Sequence, residues 1–128
     1  MQTELTLNKA YLFGQAVHGL NQIPLRLSSG VIRKLAINMN RINETFPDVP
    51  AAEGEIFARH GQPKETDEGY KAFLTEKMSY HKTTTIKADL ETIKYEELNI
   101  GESDRQNHIP PEAVAALSIM IEGFGEAQ

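Results

Sequence analysis

The sequence predicts a mainly α-helical fold: an N-terminal antiparallel helical hairpin, further short helices, one extended segment at about 83–90, and a C-terminal helix. Three observations predict it. Apolar residues recur at three- and four-residue steps through the first 46 residues. Prolines and glycines fall between the periodic runs. Only one stretch, Thr83–Leu90, combines β-branched residues with period-two alternation.

The first helix is expected to follow Asn8 as N-cap and to run through Lys9–Leu20, with Phe13, Ala16, Val17 and Leu20 on one face. Gly14 and Gly19 each cost about 1 kcal/mol relative to alanine, so packing must hold this helix. Asn21-Gln22-Ile23-Pro24 ends it, since proline cannot continue the hydrogen-bond ladder. Ser28 or Ser29 caps the second helix, which runs to about Phe46. Its Ile32, Leu35, Met39, Ile42 and Phe46 form a heptad seam expected to pack on the first helix. After Pro47, Asp48 caps a third helix that includes Ala51–Arg59, with Pro50 in its first turn and Gly61 at its end.

Thr66 or Asp67 is expected to open a fourth helix through about Met78, burying Tyr70, Phe73, Leu74 and Met78. In the extended segment, Thr84, Ile86, Ala88 and Leu90 share one side, opposite Thr85, Lys87 and Asp89. Residues 91–100 suit either a short helix or a further extended piece, and 101–107 read as a polar loop. A last helix starts at Pro111, with Val114, Leu117, Met120 and Ile121 as its apolar face and Gly123 as its stop.

The 128 residues fit one domain, 1–128, large enough to bury a core without disulfide or metal. The absence of cysteine excludes disulfides, thiolate metal sites and thiol nucleophiles. No apolar run approaches the ~18 residues of a membrane span, and the start lacks the features of a signal peptide. A cytosolic protein is the expectation. The net charge of −5 is unevenly spread: residues 1–46 carry five basic and two acidic groups, residues 47–128 eight and sixteen. Such a split can steer head-to-tail association, although small domains also divide their charge this way by chance.

The chemistry of a catalytic site is not visible. His18, His60, His81 and His108 stand too far apart for any local metal motif. No P-loop, GxGxxG or nucleophile elbow occurs. The carboxylates, among them Glu53, Glu55, Glu65, Asp67, Glu68, Glu91, Glu96 and Glu97, fall in polar loops or on helix surfaces. No cofactor or metal is expected, and no enzymatic activity. Arg33, Lys34 and Arg41, with Arg26 nearby, form the only basic cluster, and Lys34 and Arg41 lie one heptad apart on an outward face. In an acidic, tryptophan-free chain this reads as a solvated helix face rather than a phosphate-binding one.

The order of segments carries a resemblance. Leu5-Thr6-Leu7-Asn8 and Ala10-Tyr11-Leu12-Phe13 open a hairpin that continues through Asn21-Gln22-Ile23-Pro24-Leu25 to the basic helix Ile32–Ile42. An acidic helical region, the stretch Thr85–Leu90 and the end Ile109–Leu117 follow. This layout resembles small uncharacterised proteins of tailed bacteriophages and prophages, a family of unknown function. The resemblance implies a phage context: assembly factor, minor virion component, or factor acting on a host protein, in the host cytoplasm or the virion.

The expected function is therefore non-enzymatic protein–protein binding in virion assembly or as a minor virion component. The alternatives are an inhibitor of a host enzyme or defence system, and a nucleic-acid-associated factor. The expected contact surfaces are the segment 83–100, with Ile86, Leu90 and Tyr95, and the outer face of the second helix, with Arg33, Lys34 and Arg41. A partner strand at the exposed edge of 83–100 and intramolecular packing of that segment remain equal alternatives. The partner is a phage or host protein, with no membrane, and a homo-oligomer stays open.

Overall fold

The computed structural model describes residues 2–23 and 25–123. Its elements are β1 (Gln2–Thr6), α1 (Leu7–Leu20), α2 (Ser29–Thr45), α3 (Val49–Arg59), α4 (Gly69–Thr83), β2 (Thr85–Asp89) and α5 (Pro111–Leu117). Short 3-10 turns cover Tyr95–Leu98 and Ser118–Met120. The mainly helical architecture, the extended segment and the C-terminal helix are all present.

The extended segment has a mate that sequence reading did not supply. β1 pairs antiparallel with β2, from Gln2 opposite Asp89 to Thr6 opposite Thr85. The Leu7 N–H donates to the Thr84 carbonyl at 2.9 Å and extends the ladder by one step. Leu5, Ile86 and Ala88 face the core, as does Leu90 just beyond β2. β1 passes straight into α1: Thr6 closes the strand and caps the helix, its Oγ1 accepting from the Lys9 N–H at 3.2 Å. The helix thus begins two residues before the expected Lys9, and Leu7, Ala10, Phe13, Ala16 and Leu20 form its buried row.

Ser28 caps α2 through Val31 N–H at 3.2 Å. The expected seam holds at Leu35 and Ile42 and fails at Ile32. Val31, Leu35, Asn38 and Ile42 are buried, while Ile32 is 55% exposed and Met39 and Phe46 are half-buried. Val31 and Asn38 complete the buried row, and a polar residue within it hides it from an apolar count. The hairpin itself is antiparallel. Tyr11 lies beside Phe46, ring centroids 5.4 Å apart, and Gly14 faces the Met39 methyl group. Yet α1 leans chiefly on α5, and α2 on β2.

Asp48 caps α3 by accepting from the Ala51 N–H at 3.2 Å, and Gly61 ends it at φ +75°. α4 starts later than expected, because Asp67 accepts from Lys64 N–H at 2.8 Å in a turn before Gly69. Its inward side is Phe73 with half-buried Tyr70; Leu74 and Met78, expected inside, point outward. Phe73 packs on Phe57 at 5.1 Å and Tyr70 at 5.7 Å. This local cluster, with Ile56, is separate from the main core.

The main core gathers Leu7, Phe13, Val31, Ile42, Leu90, Ile93, Leu98, Leu117 and Met120, each almost wholly buried. Burial of an aliphatic or phenyl side chain stabilises by roughly 1.5–3 kcal/mol. The segment after β2 threads through this core. Ile93 N–H donates to the Met120 carbonyl at 2.9 Å, and Glu122 N–H donates to Ile93 at 2.7 Å. The loop beyond closes where Asn107 N–H meets the Asn99 carbonyl at 2.7 Å. At Gly101 a Cβ would displace the end of the Gln106 side chain.

Candidate functional site

The basic face of α2 is occupied from within. Lys34, Asn38 and Arg41, at steps of four and three, form one row along the helix. Lys34 Nζ donates to the Thr92 carbonyl at 2.9 Å, and Arg41 Nη1 donates to the Asp89 carbonyl at 2.8 Å. Between them, buried Asn38 accepts from Glu91 N–H at 2.8 Å and donates to Glu91 C=O at 2.9 Å. The row grips the backbone of residues 89–92 as a short strand would. This corrects the expectation of an outward cluster: Lys34 and Arg41 are turned to backbone carbonyls of their own chain. Arg33 is exposed, whereas Lys34 and Arg41 are half-buried.

Ile86 and Leu90 are also corrected as contact residues. Both are buried in the core and present nothing to a partner. Their segment packs within the chain, through pairing with β1 and the grip of α2. Tyr95 is 45% exposed, at the start of its 3-10 turn. Thus the six expected contact residues do not form one surface.

A histidine–carboxylate pair joins α3 to α4. His81 Nε2 lies 2.7 Å from Glu53 Oε1, and Lys77 Nζ is 3.7 Å from Glu53 Oε2. Tyr11 stacks near His81 at 5.3 Å, and burial, then Glu53 and Tyr80, push its phenol above the ordinary value. Glu76 meets Arg59 at 3.0 Å and His60 at 3.7 Å. These groups tie two helices together. Among the described residues no group of three or more histidines and carboxylates is placed to hold a metal ion. No described helix is long and apolar enough to cross a membrane.

A concave, largely apolar surface lies between α1 and α5. Two adjoining hollows, of about 350 and 370 Å³, share Leu12, Glu112 and Ala116. Ala16, Gly19, Ala113 and Ala116 make a floor of small residues. Leu12, 45% exposed, and Ile23 stand beside it, and Ile119 lies at the other end with Lys9. Sequence reasoning missed this groove, because its two walls are about ninety residues apart. The alternation of Ala16 and Gly19 with exposed Leu12 was the only trace of it. Comparison of the chain with protein-family models, with curated proteins and with solved structures returns no match.

Proposed function

We propose that the protein acts without catalysis, by binding another protein, and that the α1–α5 groove receives a helix of that partner. The observation that carries this is the small-residue floor flanked by Leu12 and Ile23. Alanine and glycine let a helix backbone approach closely, and the larger apolar residues give it anchoring contacts. Exposed large apolar side chains around a concavity are the usual mark of a recognition surface. A partner helix with apolar residues at i, i+3, i+4 and i+7 fits such a groove. The resemblance to tailed-phage proteins supplies the setting: virion assembly or a minor virion component, in the host cytoplasm or in the particle.

The test is affinity capture from infected or lysogenic host cells with mass spectrometry, alongside the protein content of purified particles. Wild type and Ile32→Glu, altered on the far exposed face of α2, are expected to capture the same phage protein. Leu12→Glu/Ile23→Glu is expected to lose it. Equal capture by the groove variant overturns the reading, and capture of a host enzyme in place of a phage protein replaces assembly with inhibition.

A further inference from the structure

We propose that the chain also associates with copies of itself head to tail, Tyr95 and Glu96 of one copy seating on the lysine-flanked Leu74–Met78 face of α4 in the next. This contact is independent of whatever fills the α1–α5 groove.

The outward face of α4 carries Lys71, Thr75, Met78 and Lys82, at steps of four, three and four, with Leu74 beside them. All are exposed, Met78 at 56%. The helix has one carboxylate, Glu76, and Arg59 and His60 draw it toward α3. The face is therefore basic and apolar in a chain of net charge −5. Leu74 and Met78 border a hollow of about 260 Å³ with Asn8, Lys77, His81 and Lys82.

The complementary surface is on the same chain. Residues 95–104 hold Glu96, Glu97, Glu102 and Asp104 and no basic group, with Lys94 and Arg105 just outside. Glu97 is engaged locally, accepting from Lys94 N–H at 2.7 Å. Tyr95 and Glu96 are both exposed on the turn. An exposed tyrosine is a good anchor, because its large ring orders at little entropic cost. The carboxylate beside it matches the lysines that flank Leu74 and Met78.

The two patches hang on different parts of the molecule. α4 joins the body through α1 and β1, whereas the 95–104 segment is held through Ile93 to Met120 and through Asn107 to Arg26. Contact between unlike patches is heterologous, and it closes into a ring or continues as a filament. Two exposed apolar side chains are too few for insertion into a lipid interface, so a protein surface is the better occupant.

Sedimentation velocity at low and high salt tests this on the full chain. Wild type is expected to associate with rising concentration and to dissociate in high salt. Met78→Glu/Lys82→Glu and Tyr95→Ser/Glu96→Ser are each expected to be monomeric with unchanged far-ultraviolet circular dichroism, since all four positions are exposed. Their equimolar mixture is expected to stop at a heterodimer, because only one intact interface exists between them. A monomeric wild type, association by either variant alone, or a mixture that stays monomeric overturns the proposal.

Discussion

Two asparagines do the work of strands. Asn38 matches both backbone groups of Glu91. Asn107 does the same for Arg26, accepting from its N–H at 2.7 Å and donating to its carbonyl at 3.1 Å, while also donating to Leu98 C=O. Each pins a segment more than fifty residues away, so loss of the amide leaves part-buried backbone groups unpaired, at up to about 1–3 kcal/mol each. Asn38→Ala is expected to cost about 2–4 kcal/mol in urea unfolding, against less than about 0.5 kcal/mol for exposed Asn40→Ala. Equal effects would contradict the strand-like role. Tyr11 gives a pH dependence at the same scale. Its phenol pKa is raised on folding, so the folded chain holds that proton more tightly than the unfolded one. The resulting stability is complete below the ordinary value of 10.0 and drains as pH rises through the folded value. Thermal melts between about pH 8 and pH 11 are expected to show a shallower alkaline decline for Tyr11→Phe than for wild type.

α3 and the inward side of β2 were legible from local chemistry. Asp48, Pro50 and Gly61 delimit α3 by capping and by φ, and the alternation of Thr84–Leu90 shows which side of β2 is inward. Three features were not legible. β1 contains one apolar residue, Leu5, in Gln2–Thr6, and its mate comes some eighty residues later. The burial of Asn38 in α2 has its reason in a backbone outside the helix. Leu74 and Met78 satisfy a helical apolar period while facing outward, and periodicity cannot separate a core stripe from a contact stripe. The α1–α5 groove likewise exists only once two remote helices meet. Gly19 gives it an element-scale test. A Cβ there would meet nothing, so Gly19→Ala is expected to stabilise α1 by about 0.5–1 kcal/mol. That methyl group would also raise the groove floor. Gly54→Ala in α3, equally unobstructed, is expected to stabilise without touching the groove. The two variants should then raise the melting temperature alike, while only Gly19→Ala weakens partner capture. Unchanged capture by Gly19→Ala would argue against close backbone approach at this floor.

The whole molecule divides unevenly into a cooperative body and an arm. β1, α1, α2, β2 and α5 share one core, and their contacts join the first residues to residues 85–89 and 111–121. No part of that body is complete until the C-terminal helix has docked, so it should open as a unit. The far part of the α3–α4 pair differs. Its buried side chains, Ile56 and Phe73, lie outside the main cluster, while Val49 and Tyr80 at its base remain attached to it. Salt bridges of Arg59, His60 and Lys77 on its surface add little to its stability, since exposed ion pairs contribute ~0–1 kcal/mol. The arm should therefore open below the global unfolding free energy. Native-state hydrogen exchange is expected to show less protection for amides of residues 54–76 than for those of α1, α2 and α5. Phe73→Ala should remove roughly 3 kcal/mol of local stability, lowering protection in α3 and α4 while leaving α5 nearly unchanged. Leu117→Ala, in the shared core, should lower protection through the body. If Phe73→Ala instead loosens α5 as much as α4, the arm belongs to the same cooperative unit, and its outward Leu74–Met78 face is held as rigidly as the core itself.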